Sequence, residues 1–201
     1  MIWVAVSVSV VFVVLVGALA RNDLPKRLLV FVAFAVVIVG GVLLLVTDPV
    51  ARPAFGALAL VWAAACAVDL ERHQLPDAYT LPSYPLFLMA LVPATVDDLA
   101  ALLRVGLAGL AAMAVFYGIG LANPTQFGLG DVKLALTVGA ALGWFGWWPW
   151  LVGLGAGFVI FAVLGAVLLA SGRRDKASEL AFGPFMVAGV LVGPWAASLL
   201  M

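Results

Sequence analysis

From Leu134 to Gly172 the chain carries no charged side chain. As one helix rising 1.5 Å per residue, this run would be roughly 58 Å long, about twice the ~30 Å hydrocarbon core of a bilayer. It must therefore fold back while remaining in apolar surroundings. Gly143-Trp144-Phe145-Gly146-Trp147-Trp148-Pro149-Trp150 is the natural place, since it offers glycines and a proline for the turn and tryptophans for the membrane interface.

The rest of the chain has the same character. It is 66% hydrophobic and 10% charged, with a mean hydropathy of +1.24. That composition excludes a water-soluble domain and predicts an all-α polytopic membrane protein, because helices can satisfy their own backbone in lipid. Lys+Arg and Asp+Glu balance at 10 each, so no net field calls for a nucleic acid partner. One cysteine, Cys66, excludes an intrachain disulfide, and the single histidine, His73, has no companion ligand. No metal or other cofactor is expected. Cys66 reads as a small core residue and His73 as a solvated loop residue.

The charge-free runs predict about eight transmembrane helices: Ile2–Ala20, Leu28–Val46, Ala54–Val68, Ala78–Val96, Leu99–Leu121, Val132–Leu142, Leu151–Ala170 and Gly183–Leu200. The basic residues near the first run follow it, the wrong polarity for a cleaved signal peptide, so it is read as a span. With no repeat and no linker, residues 1–201 are expected to form one domain. Arg21, Lys26, Arg27, Arg72, Lys133, Arg173, Arg174 and Lys176 fall in odd-numbered connections, and Arg52 and Arg104 in even ones. This bias predicts odd connections in the cytoplasm and both termini outside. Most tryptophans, Trp3, the Trp144–Trp150 group and Trp195, then lie near the outer side.

On the cytoplasmic side this topology brings together two acidic stretches, Asp69-Leu70-Glu71-Arg72-His73-Gln74-Leu75-Pro76-Asp77 and Phe127-Gly128-Leu129-Gly130-Asp131-Val132-Lys133. Acids at a bilayer edge are costly and call for a reason. Structural reasons exist. Asp131 suits an N-cap, Asp69 a helix end paired with Arg72, Asp77 a turn and N-cap after Pro76, and Glu71 a solvated loop. Lys133 suits a lipid- or water-facing contact, or a cation beside Asp131. Two facing carboxylates also suit aspartyl peptidase chemistry. One, ionised, activates a water while the other, protonated, polarises a carbonyl. Gly128 and Gly130 then allow close backbone approach to an extended substrate. Intramembrane acids equally mark transporters and channels, the alternative reading. The placement of these acids at loop ends on one face, without an inverted repeat, favours the peptidase.

Three motifs in order resemble one family. Asp69 and the Leu75-Pro76-Asp77 that follows it, with Thr80-Leu81-Pro82, resemble the first signature of type IV prepilin peptidases. Phe127 to Leu134 resembles the second, the GxGD signature, and Phe182-Gly183-Pro184 the family's C-terminal Phe-Gly-Pro. The resemblance implies a membrane aspartyl endopeptidase with Asp69 and Asp131 catalytic. Gly128, Gly130, Lys133, Asp77, Pro76, Gly183 and Pro184 would bind substrate or support the site. It implies prepilin or pseudopilin substrates with a short basic leader ahead of a hydrophobic helix. The setting would be the cytoplasmic (inner) membrane of a bacterium or archaeon, in contact with lipid, with the site facing the cytoplasm. Many members carry paired Cys-x-x-Cys motifs linked to N-methylation. With Cys66 alone, this chain resembles the short, peptidase-only form. Ala181 stands where many members have proline.

Overall fold

In the computed structural model, residues 26–72, 75, 77–122, 128–172 and 180–200 are described. They form seven α-helices and no strand: α1 Lys26–Leu45, α2 Arg52–Arg72, α3 Asp77–Leu91, α4 Leu99–Ala122, α5 Leu129–Phe145, α6 Trp147–Ala170 and α7 Gly183–Leu200. The first expected span lies outside the described residues. Three helical stretches are long and apolar enough to cross a membrane: Arg52–Leu70, Leu99–Ala122 and Trp147–Ala170. Phe31–Leu45, Thr80–Ala94 and Gly183–Leu199 are apolar but shorter. The described residues thus form an all-helical membrane protein, but not a set of eight full-length spans.

Local chemistry sets the helix ends. α3 contains Pro82 and Pro85 and passes into a 3₁₀ turn at Val92–Ala94, which includes Pro93. It is therefore shorter than the expected Ala78–Val96 span. Asp98 caps α4, its Oδ1 accepting the Ala101 N–H at 2.9 Å. The junction between α5 and α6 is Gly146, at φ +120°, a conformation that favours glycine. At the end of α5, Arg104 donates to the Gly143 and Trp144 carbonyls at 2.9 and 3.3 Å. These are carbonyls a helix end leaves without intrahelical partners.

Two glycine seams hold the bundle together. Gly139 and Gly143 of α5 lie against Ala108 and Ala112 of α4, and a Cβ at Gly139 would stand 2.7 Å from the Ala108 carbonyl oxygen. Gly189 and Gly193 of α7 meet Gly153 of α6 backbone to backbone. In lipid, where no hydrophobic effect drives helices together, small residues allow the close contact that dispersion needs. A third link is polar: Trp62 Nε1 of α2 donates to Thr137 Oγ1 of α5 at 3.0 Å, and both residues are buried. This explains why Trp62 departs from the interfacial pattern of the other tryptophans. Cys66 is fully buried, as expected of a core residue.

Candidate active site

α2 continues past the expected end at Val68 to Arg72, so Asp69 stands in its last turn. α5 begins at Leu129, three residues before the expected Val132. Its N-cap is Gly128, with no side-chain cap, and Asp131 lies in its first turn, its N–H bonded to the Gly128 carbonyl at 3.1 Å. The structural account of Asp131 as an N-cap is therefore overturned: the extended backbone before the helix starts belongs to Gly128.

Asp69 is 5% exposed. Its Oδ2 accepts the N–H of Gly183 at 3.2 Å. A Cβ at Gly183 would stand 2.7 Å from that oxygen and 3.3 Å from Leu134 Cδ2, so the backbone reaches the carboxylate because no side chain intervenes. Phe182 anchors this turn. Its ring lies 5.0 Å from Phe158, 5.2 Å from Phe161 and 5.9 Å from Phe116. Pro184 follows in the first turn of α7, where a missing N–H costs nothing.

Asp131 feels the charge of Asp69. It stands ahead of the apolar run Val132–Leu142. Burial first, and then the negative charge of Asp69, push its carboxyl up to about 7, while a backbone hydrogen bond at Gly128 pulls the other way. Such a group retains its proton where a solvated aspartate has lost it. The arrangement thus offers two interacting carboxyl groups able to differ in protonation, as hydrolysis by an acid–base pair requires.

The glycines divide. Gly130 is covered by Leu75, whose Cβ would lie 3.0 Å from an added Cβ, so the close approach here is made by the chain's own connection between α2 and α3. Gly128 is exposed, and a Cβ there would meet only the Gly130 nitrogen, at 3.8 Å.

A protein-family comparison matches residues 56–172, more than half of the chain, to the type IV leader peptidase family. The chain belongs to that family. No curated protein and no solved structure matches it. Membership makes it a leader-peptidase-type protease, and the matched segment contains both Asp69 and Asp131.

In this leader peptidase Lys133 forms an ion pair with Asp77 instead of standing as a lone lipid-facing cation or a partner of Asp131. Asp77 is the first residue of α3. It is paired across to α5, so its role is broader than that of a cap. Its side chain is 62% exposed, and a pair this open contributes about 0–1 kcal/mol. Asp77→Asn keeps an acceptor at the helix start, so cleavage is expected to stay within about threefold of wild type. Initial rates in membranes with matched protein would check this; complete loss with normal expression would put Asp77 in the chemistry. Pro76, His73, Phe127 and the side chains of Glu71 and Arg72 lie outside the described residues.

Sequence reasoning did not single out Trp62, Thr137 or the Phe182 cluster as parts of the site's frame. Trp62 sits two turns before Asp69, and Thr137 less than two turns after Asp131. Their bond ties α2 to α5. The available signal was a tryptophan in the middle of a span.

Proposed function

We propose that this chain is a membrane aspartyl endopeptidase that removes the N-terminal leader of type IV prepilins or pseudopilins at the cytoplasmic face, with Asp69 and Asp131 as its catalytic pair. The observation that carries this reading is that the family match spans both acids, with Asp69 buried and held by the Phe-Gly-Pro turn and the half-buried Asp131 within reach of its charge. One carboxyl, ionised, takes a proton from a water that attacks the scissile carbonyl. The other, protonated, gives its proton to the carbonyl oxygen. Gly128 is open to an extended substrate strand, whereas Gly130, Asp77 and Lys133 support the turn that presents Asp131. The chemistry calls on no metal or cofactor. Co-expression with a candidate prepilin, followed by sequencing of the substrate's N-terminus, tests the activity. A terminus starting at the hydrophobic helix supports it, and an uncleaved leader in every candidate counts against it.

The proposed topology turns both acids toward the bacterial or archaeal cytoplasm, with lipid surrounding the bundle. It rests on eight of the ten Lys and Arg residues falling in odd-numbered connections. Reporter fusions in the 123–127 connection are expected to report cytoplasm. An external signal there would separate the site from its substrate's leader and overturn the reading.

A further inference from the structure

We propose that Asp69 is the ionised base of the pair, that Asp131 carries the proton, and that Gly183 fixes this assignment. The inference rests on the dyad reading above and adds a direction to it. Asp69 is buried, yet Oδ2 receives the N–H of Gly183. Gly183 opens α7, a helix of 18 residues, and the first N–H groups of a helix have no intrahelical acceptor. The bond and the positive end of the helix dipole both favour negative charge on Asp69. The Phe182 ring cluster and the α6–α7 glycine seam hold the turn from which this bond comes.

Asp131 lies in the first turn of its own helix, which also favours its charged form. Burial and the neighbouring Asp69 charge outweigh that effect. The nearest cation on the same turn, Lys133, is taken by Asp77 of α3. Among the described residues the charge that acts on Asp131 is therefore that of Asp69 from α2.

The reaction then has a fixed order. Asp69 accepts a proton from water as the water oxygen bonds to the scissile carbonyl carbon, and Asp131 donates its proton to the carbonyl oxygen, giving a neutral gem-diol. In the second half Asp69 returns its proton to the amide nitrogen as the C–N bond breaks. Asp131 takes a proton from one diol hydroxyl as the carbonyl reforms. The products are a free amine and a carboxyl group, and the pair is back in its starting state.

Infrared spectroscopy of the full-length protein in lipid tests the assignment without relying on cleavage. At about pH 6 solvated carboxyl groups are ionised, so a protonated-carboxyl C=O band that shifts in D2O reports the buried proton. The band is expected in wild type, lost in Asp131→Asn and retained in Asp69→Asn, because burial is the larger cause at Asp131. In Gly183→Ala the proton is expected to be free to move to Asp69, so the band survives addition of Asp131→Asn in that background. A band lost in Asp69→Asn but kept in Asp131→Asn reverses the roles and overturns the proposal while leaving the dyad intact. Absence of the band from wild type refutes the shared-proton reading itself.

Discussion

Asp69→Asn and Asp131→Asn are each expected to lose cleavage by roughly 10³-fold or more, and the double variant should be scarcely worse, because residues acting as a unit are not additive. Asn at 131 keeps a polar group but has no acidic proton to give. Asn at 69 keeps the Gly183 contact through its carbonyl oxygen but cannot take a proton from water. Neither acid can replace the other, since they stand on different helices with different backbone contacts. The measurement is prepilin processing by membranes containing matched amounts of each variant. Near-normal processing by either single variant would end the dyad hypothesis. A double variant much slower than both singles would mean that the two acids act in separate steps.

Gly183→Ala is expected to cost about 10²-fold in kcat, the scale of a 1 Å misplacement of a reacting group. The new Cβ would stand 2.7 Å from Asp69 Oδ2, so something must move. The turn is pinned by Phe182 among three rings and α7 is seamed to α6, which leaves the carboxylate to yield. The same substitution at Gly118, where nothing lies within 4 Å of an added Cβ, is the control and should leave kcat unchanged. Gly183→Ala with wild-type kcat would show that this contact does not position Asp69.

Much of the helical order was legible, because charges and prolines interrupt the apolar runs at the places where the described helices end. The α5–α6 junction fell within the expected turn and uses one glycine, Gly146. Helix starts were less legible. Asp131 looked like a cap because Asp is a favoured N-cap, yet the helix begins two residues before it, at Leu129, behind a Gly128 cap in a stretch that composition reads as loop. The Asp77–Lys133 pair joins residues far apart in sequence, and local patterning cannot foresee such a pair. Gly183 was read from the apolar runs as the start of the last span, where the helix does begin, but as a site residue it was marked only through the resemblance. The reason for it, a carboxylate from α2 seated against its N–H, depends on how distant helices cross. Gly130 shows the converse, where a glycine expected to face substrate is covered by Leu75.

The glycine seams have a consequence for how such a protein can change. A contact made of backbone against backbone has no side chain to enlarge, shorten or re-aim, so its width is a fixed dimension of the molecule. α6 with α7 is such a unit and carries the turn that holds Asp69, while α4 with α5, which carries Asp131, closes glycine against alanine and leaves only a methyl group to vary. Within each pair a new substrate leaves little to alter at the seam, and the connections and lipid-facing side chains are the parts free to vary.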